Sequence, residues 1–378
     1  MKTIKRLIKE LCPNGVKYVN LSKLISKNTF KQITSAHEFE SMNKFSGNIK
    51  MLPSSKNYDW ATDELTAGEN IQKGKVISLG RARYANIKYW EGKFISCNNH
   101  LITSFDESKI LTRYLFHFIN NNIKHFYIDT ATYPKLEDSI FENFKTPFPP
   151  LEIQQKIVEI LDKFTLLEAE LEAELEARRK QYEYYRDKLL KFPDEGGVMI
   201  KDMIDYIQPT KYIVFSTKYN NEYSIPVLTA GKSLYLGYTN ETNNIYKASK
   251  DKPVIIFDDF TCNFHWVDFE FKIKSSAMKI LIPRNVTKYD FKFLFYLMKT
   301  LKYDIGRGDH KRHWISKYSE QILNVPNISR QKEIVKVLDS FNILVNDISN
   351  GLPKEIELRH KQYEYYRNEL LNFKDVVG

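Results

Sequence analysis

The sequence contains a tandem internal repeat, and this feature restricts the possible folds more than any other. Residues 180–186 (KQYEYYR) recur identically at 361–367, and residues 154–164 match 331–341. The first pair is offset by 181 residues (361 minus 180) and the second by 177 (331 minus 154), so the second copy has four additional residues between its blocks. Four residues are about one turn of α-helix, so this insertion barely rotates a helical face. We therefore expect two copies of one architecture.

Each copy contains an apolar pattern typical of a long helix. Apolar residues recur at steps of three and four along 153–189 and again along 334–370, which is the spacing of a coiled-coil seam. The proline pair at 149–150 marks the start of the first helix, and Pro193 follows its end. Pro353 is expected to kink or interrupt the second helix, because proline lacks a backbone donor and clashes with the preceding turn.

The segments between the helices have a different composition. They are rich in Tyr, Phe, Ile, Asn and Lys and contain short β-like runs, and each ends in a predicted helix. The predicted boundaries are 1–147 for a first domain with an N-terminal helix, 148–193 for the first long helix, 194–325 for a second domain and 326–378 for the second long helix.

The beginning of the chain resembles the end of the first copy. Residues 7–16 (LIKELCPNGV) are similar to 189–198 (LLKFPDEGGV), so the repeat looks cyclic, as if it were opened within a helix end. We predict that the N-terminal helix packs near the C-terminal end of the second long helix.

Charge and cysteine content restrict the class of protein. Lys and Arg number 57 against 47 for Asp and Glu, a net charge of +10. The segments 151–191 and 329–374 together hold 16 basic and 17 acidic residues, so the excess lies outside the helices, as expected for a nucleic-acid partner. Three dispersed cysteines without a CxxC pair argue against disulfides or a cysteine-rich zinc site. With no signal-peptide core and no membrane-length apolar run, we expect a soluble, cytoplasmic protein.

These features together resemble the specificity (S) subunits of type I restriction–modification systems. The resemblance lies in residues 147–155 (PFPPLEIQQ), which lead into 157–164 and then 178–192, and in the duplicated architecture. The second copy is a weaker match, because 325–331 (VPNISRQ) lacks the tandem prolines. Together with the duplication, the resemblance covers essentially the whole chain.

The resemblance implies a chain that performs no chemistry and holds no cofactor. The fold class is then α+β: two α/β target-recognition domains separated by two long antiparallel helices in a coiled coil, as a cyclic, pseudo-two-fold tandem repeat. Each domain would recognise one half of a split, asymmetric sequence in double-stranded DNA. Two modification (M) subunits, which bind S-adenosylmethionine, would dock on the helices, and restriction (R) subunits would add a nuclease that depends on ATP and Mg²⁺.

Candidate DNA contacts combine Lys and Arg for phosphates with polar and aromatic groups for base edges. In the first domain they are Lys56, Tyr58, Arg81, Arg83, Tyr84, Tyr133 and Lys135. In the second domain they are Lys232, Arg307, His310, Lys311, Arg312, His313 and Trp314. Tyr184 and Tyr365 lie off the apolar seams of the helices, and such large amphipathic side chains suit an interface with M subunits.

Other functions remain open from the sequence. Asp259, Glu270 and Lys272 have the acid…ExK spacing of Mg²⁺-dependent nucleases, so a freestanding DNA nuclease is the main alternative. A further alternative is a protein whose coiled coil serves only to assemble other subunits. His310 and His313 lack a convincing third and fourth ligand, so no metal site is expected. Residues 229–233 (TAGKS) end like a phosphate-binding loop, but a proline occupies the position of its first glycine, which argues against ATP binding.

Overall fold

A computed structural model describes the chain except for residues 1, 28, 57–58, 81–85, 131–132, 194–195, 230, 232, 304–311, 347–350 and 377–378. The chain divides into two compact units: unit 1 is Met1–Ala173 with Glu355–Gly378, and unit 2 is Glu174–Lys354. Each unit contains one domain together with parts of the long helices. Within the described ranges, no helix is both long and apolar enough to cross a membrane.

The helices and strands of the described residues follow in chain order. The helices are α1 (Lys2–Leu11), α2 (Ala36–Ser41), α3 (Glu64–Ala67), α4 (Thr112–Asn121), α5 (Asp138–Asn143), α6 (Leu151–Leu189), α7 (Ile200–Met203), α8 (Phe291–Met298), α9 (His313–Ser316), α10 (Ile328–Asn346) and α11 (Leu352–Leu371). The strands are β1 (Tyr18–Asn20), β2 (Ile25–Lys27), β3 (Ile49–Leu52), β4 (Ala61–Thr62), β5 (Gln72–Gly80), β6 (Ile87–Ser96), β7 (Asn99–Ser104), β8 (Tyr127–Ile128), β9 (Lys135–Leu136), β10 (Lys145–Pro147), β11 (Val198–Met199), β12 (Ile204–Ile207), β13 (Ile225–Leu228), β14 (Tyr235–Thr239), β15 (Val254–Asp258), β16 (Phe264–Val267), β17 (Lys272–Ile273), β18 (Met278–Pro283) and β19 (Ile322–Leu323).

Unit 1 is built around a mixed six-stranded sheet with the order β2-β7-β5-β6-β3-β4. β3 runs parallel to β6, and the other neighbouring strands are antiparallel. The central strand β5 ends in an apolar run, in which Val76, Ile77 and Leu79 are fully buried. α4 packs against this sheet and buries six of its ten residues, so the core of the domain lies between α4 and the sheet.

The long helices of unit 1 share the core of its domain. The beginning of α6 and the end of α11 contribute to the same hydrophobic cluster as α4. Phe164 packs against Tyr363 and Tyr366, with ring centroids 6.3 and 5.4 Å apart. Four residues further along α6, Glu168 Oε1 lies 3.1 Å from His360 Nδ1. Because moving forward along α6 means moving backward along α11, the two helices are antiparallel, which confirms that part of the predicted fold.

The N-terminal helix packs beside the end of the second repeat, as the cyclic pattern predicts. Ile4 of α1 is buried in the cluster that also holds the end of α11. The hydroxyl of Tyr18 donates to Phe373 O at 2.9 Å, and the N–H of Val16 donates to Lys374 O at 2.8 Å. The chain is therefore closed within unit 1 by direct contacts between its first and last described segments.

Unit 2 contains a four-stranded sheet, β12-β18-β15-β16, and a three-stranded sheet, β14-β13-β17. The four-stranded sheet is antiparallel throughout, whereas β13 pairs antiparallel with β14 and parallel with β17. The sequence of α8 (FKFLFYLM) is apolar almost all round, and seven of its eight residues are buried. A helix of this kind must be covered on all sides, and α8 therefore lies in the centre of the core of unit 2.

The end of α6 pairs with α10 in unit 2. Phe341 of α10 packs against Tyr182 and Tyr185 of α6, with ring centroids 6.4 and 5.7 Å apart. α10 and α11 are separate helices, and Pro353 lies in the first turn of α11, where its missing N–H breaks no helical hydrogen bond. The second repeat thus has two helices where the first repeat has one continuous helix.

Candidate nucleic-acid interface

The two domains arrange corresponding strands in the same order. The order β2-β7-β5-β6 in unit 1 corresponds to β12-β18-β15-β16 in unit 2. In this correspondence Lys88 lies opposite Ser78 on β5, and His265 lies opposite Ile256 on β15. Ser78 and Ile256 are equally far from the first paired residue of β2 or β12. In each domain the two positions are three residues apart, counted along the strand that lies between them, β7 or β18. Lys88 and His265 therefore occupy equivalent positions in the two domains.

Lys88 is buried, and its ammonium group holds the loop that follows β3. The residue is 1% exposed. Its Nζ donates to Pro53 O at 2.7 Å, to Asn86 Oδ1 at 3.3 Å and to Ser55 O. Burial, followed by repulsion from Lys50, lowers the pKa of Lys88 to about 8. The oxygen acceptors compensate for the removal of a charged group from water.

Further hydrogen bonds join neighbouring loops to the same place. Asn86 Nδ2 donates to Ser54 O at 2.8 Å, and the hydroxyl of Tyr127 donates to Gly80 O. Gly80 is required by this close approach, because a Cβ at this position would lie 2.5 Å from Asn86 Nδ2. These hydrogen bonds therefore join the loop after β3 to the loop between β5 and β6, and the β8–β9 hairpin to the end of β5.

These three loops carry the sequence-predicted contacts of the first domain. Lys56 is exposed just beyond the segment that Lys88 holds, Lys135 is exposed on β9, and Tyr133 is 42% exposed in the hairpin. The predicted contacts that lie outside the described residues are Tyr58, Arg81, Arg83 and Tyr84. Segments that are distant in the sequence thus converge on one part of the domain.

In the second domain, His265 makes the corresponding contact. Its Nε2 lies 2.9 Å from Gly231 O, in the connection between β13 and β14. A carbonyl oxygen only accepts hydrogen bonds, so Nε2 carries a hydrogen here. The N–H of Thr229 donates to Leu234 O at 2.9 Å and closes this connection. Lys232 lies within the connection but outside the described residues.

The structure separates the residues of the predicted basic and aromatic stretch. Arg312 is exposed, whereas His313 and Trp314 are each 2% exposed. The N–H of Trp314 donates to Asp259 Oδ1 at 2.8 Å, and its ring packs on Phe257 with centroids 5.0 Å apart. Because buried side chains do not reach phosphates or bases, we assign His313 and Trp314 to the domain core and correct their prediction as DNA contacts. Outside the described residues lie Arg307, His310 and Lys311.

The residues of the alternative nuclease site are held in three separate ion pairs. The pairs are Asp259 with Lys279 (3.3 Å), Lys272 with Glu241 (2.8 Å) and Glu270 with Lys247 (2.6 Å). Asp259 and Lys272 are fully buried, so solvent and substrate do not reach them. Among the described residues, no group of three His, Cys, Asp or Glu side chains is placed to hold a metal ion. The acid…ExK spacing thus reflects structural ion pairs and not a nuclease site.

Polar contacts that join the domain helices to the long helices were not predicted from the sequence; His117 and Tyr296 are buried there, and the aspartates that bind them are half-buried. Asp162 of α6 binds Arg113 Nη2 at 2.7 Å and His117 Nε2 at 2.8 Å, both on α4. At the matching position of the second repeat, Asp339 of α10 accepts a hydrogen bond from the hydroxyl of Tyr296 on α8. The signal was present in the sequence, because both Asp residues lie in the matched blocks 154–164 and 331–341.

The pKa of Asp162 in the first repeat is shifted by burial and by its hydrogen-bond partners. Burial alone would raise the pKa of Asp162, but hydrogen bonds from His117 and Arg113 outweigh it and the pKa is lowered. Burial also lowers the pKa of His117, and the hydrogen bond to Asp162 opposes this effect only in part. The contact between α4 and α6 therefore favours a neutral imidazole beside an ionised carboxylate.

The two tyrosines predicted to bind a partner lie on the surface of the long helices. Tyr184 is 61% exposed and Tyr365 is 59% exposed. Each ring packs edge-on against the next tyrosine in the sequence, at 5.4 Å and 5.3 Å respectively. The heptapeptide repeat thus presents a similar aromatic surface in both copies.

Comparison with known proteins identifies the family. A sequence profile of the type I restriction modification DNA specificity domain matches residues 5–177 and again 197–358, which includes most of both repeats. The chain belongs to the type I restriction–modification DNA specificity family. Type I specificity subunits recognise DNA within a complex and are not themselves catalytic, and this family match gives no support to the nuclease alternative.

Individual type I specificity subunits are similar to this chain. A specificity subunit from Escherichia coli is 46% identical to this chain over 198 residues. This match covers 50% of this chain and 48% of that relative, so it spans about half the length of each. A protein assigned as a specificity subunit in Haemophilus influenzae is 29% identical over 347 residues, 87% of this chain and 89% of that relative. The solved S subunit from M. genitalium has a TM-score of 0.66 at 14% identity, covers 94% of this chain and 96% of its own, and supports the fold.

Proposed function

We propose that the two domains recognise two different halves of one asymmetric sequence in double-stranded DNA. The observation that carries this proposal is the equivalence of Lys88 and His265. The two domains have the same strand order, yet the loops after β3 and β13 are held by different side chains and have different sequences. A shared scaffold with different loops is expected to bind similar backbones while selecting different bases.

The described candidates for direct contact are Lys56, Tyr133 and Lys135 in the first domain and Arg312 in the second. Their cationic groups suit DNA phosphates, and an exposed tyrosine suits phosphate or base edges. The other sequence-predicted contacts remain part of this proposal as predictions; they are Tyr58, Arg81, Arg83, Tyr84, Lys232, Arg307, His310 and Lys311.

The proposed partners are two modification subunits and, in the nuclease form, restriction subunits. The modification subunits would bring S-adenosylmethionine, and the restriction subunits would use ATP and Mg²⁺, so these cofactors would belong to the partners and not to this chain. The exposure of Tyr184 and Tyr365 on the repeated heptapeptide supports one docking surface per repeat for the modification subunits. The complex would act in the cytoplasm, on the DNA of the cell.

A methylation map tests the proposal. The chain is assembled with the modification subunits of its host, S-adenosylmethionine and a plasmid library are added, and methylated adenines are located by sequencing. We expect one motif with two different defined parts separated by unspecified bases, and binding that weakens as salt increases. A continuous motif, or a palindrome with two identical parts, would contradict two different recognition domains. If the complex does not bind DNA, the chain acts only in assembly.

A further inference from the structure

The loops that follow β3 and β13 have similar chemistry although their sequences differ. The first begins Pro53-Ser-Ser-Lys56, and the second is Thr229-Ala-Gly-Lys-Ser233. Each combines hydroxyl side chains with a lysine, which are groups that contact phosphates and base edges. Each loop connects two neighbouring antiparallel strands, β3 and β4 in the first domain and β13 and β14 in the second.

In the first domain, the loop conformation depends on Lys88. The main-chain carbonyls of Pro53 and Ser55 both point at its ammonium group, with the intervening Ser54 carbonyl bound by Asn86. The side chains of Lys88 and Asn86 therefore bind three successive main-chain carbonyls of this loop. With the carbonyls of residues 53–55 bound in this way, the described part of the loop is held in one conformation, and Lys56 at its end is exposed.

In the second domain, a single donor performs the same task. His265 Nε2 binds Gly231 O, near the middle of the connection. The strand that leads into this connection has an irregular register between Val227 and Leu228, and the Thr229 N–H closes the connection on Leu234 O. The imidazole therefore binds the connection at Gly231, between the two strands.

We propose that Lys88 and His265 are positioning residues for base recognition, and that each sets the conformation of the loop that selects the bases of one half-site. The inference rests on the proposed function and extends it, because it names the selecting loop of each domain and the side chain that orders it. Neither residue needs to contact DNA. Removing either donor leaves main-chain carbonyls without a partner and allows several loop conformations, so the affected domain accepts more sequences.

The experiment uses the assembled methyltransferase complex and two DNA libraries. In each library, one part of the wild-type motif is randomised and the other part is kept constant. The test variants are Lys88→Met and His265→Phe, which keep the side-chain volume but remove the donor. The controls are Lys93→Met on the same strand as Lys88 and Lys247→Met in the second domain, since both lysines are exposed and the ammonium group of each forms a surface ion pair.

We expect each test variant to lower sequence discrimination about tenfold in one library and to leave the other unchanged, with the two variants affecting opposite libraries. Both controls should keep wild-type discrimination. His265→Lys, which restores a donor, should recover discrimination. Lys88→Gln keeps part of the donor capacity and should give a smaller loss in the same library, and it supplies the test if Lys88→Met does not fold.

Two results would overturn the inference. One is wild-type discrimination in both libraries for a folded, assembled variant. The other is an equal loss in both libraries, which would indicate a general loss of structure or of DNA affinity. A wild-type complex that yields no two-part motif would instead refute the proposed function, so the two failures are distinguishable.

Discussion

The buried glutamine at the start of each long helix leads to a quantitative prediction about stability. Gln154 is fully buried. Its Oε1 accepts the N–H of Leu111 at 2.9 Å, and its Nε2 donates to Lys109 O at 2.9 Å and to Pro149 O at 2.8 Å. Leu111 precedes α4, and its apolar side chain provides no cap. One amide therefore satisfies backbone groups at the starts of two helices.

The second repeat contains the same arrangement. Gln331 Oε1 accepts the N–H of Asp290 at 2.7 Å, and its Nε2 donates to Lys288 O at 3.2 Å and Pro326 O at 2.8 Å. Its exposed fraction is 1%. The repetition of three backbone contacts in domains of different sequence indicates that this amide fixes the domain helix to the long helix.

The substitution Gln154→Ala removes all three hydrogen bonds. A net contribution of about 1 kcal/mol for each bond predicts a loss of about 3 kcal/mol in the free energy of unfolding of unit 1. For a unit of roughly 200 residues this corresponds to a melting temperature lower by about 6–12 °C. Gln331→Ala should cause a similar loss in unit 2, because the bonds are equivalent.

The assay is urea and thermal unfolding of the purified chain, followed by circular dichroism. The matched control is Gln155→Ala, because Gln155 is the next residue of the same helix and is exposed. We expect this control to change stability by less than about 0.5 kcal/mol. If Gln154→Ala and Gln155→Ala unfold at the same urea concentration, the buried amide does not contribute as inferred.

Three further predictions concern pH, a buried ion pair and partner binding. Burial lowers the pKa of His117, so as pH decreases the unfolded chain takes up a proton before the folded chain does. The free energy of unfolding should therefore fall as pH decreases below about 6.5. Measured from about pH 7.5 to 5.5, this fall should be steeper in the wild type than in His117→Gln. Lys279→Met leaves the Asp259 carboxylate buried without its cation and should lower the unfolding free energy by about 3–5 kcal/mol in urea titrations. Combined Tyr184→Ala and Tyr365→Ala should weaken pull-down of modification subunits about tenfold or more, with unfolding unchanged.

Each of these predictions has a control or a contradicting result. Equal pH slopes for wild type and His117→Gln would exclude the imidazole as the cause. Lys247→Met removes an exposed partner and should cost less than about 1 kcal/mol, so a loss as large as that of Lys279→Met would contradict the role of burial. Tyr235→Ala removes an exposed tyrosine of the second domain and should leave pull-down intact, and unchanged pull-down of the double variant would refute the docking surface.

Repeated and periodic patterns were sufficient to predict the architecture. The duplicated heptapeptide and the three- and four-residue apolar steps predicted two copies with paired long helices, and the similarity between 7–16 and 189–198 predicted the contact between the chain ends. These inferences succeeded because helix periodicity and duplication are local properties of the sequence. Burial of an amphipathic face follows from them almost directly.

The burial of individual polar residues was not predictable in this way. His313 and Trp314 belong to a basic, aromatic stretch, yet they are core residues because Asp259, more than fifty positions earlier, binds their backbone. Lys272 has the spacing of a nuclease residue, yet it is buried beside Glu241. A charged residue in the sequence is exposed by default, and only a partner brought by the fold makes its burial possible.

The amino-acid sequence by itself determined the duplication, the long helices, the closure of the chain ends and the family. The tertiary structure decided which loops of a domain are hydrogen-bonded to one another, and which lysines, histidines and carboxylates are buried. The physical reason is range: helix and repeat patterns depend on neighbours in the chain, whereas a buried ammonium such as that of Lys88 depends on oxygen acceptors supplied by distant segments.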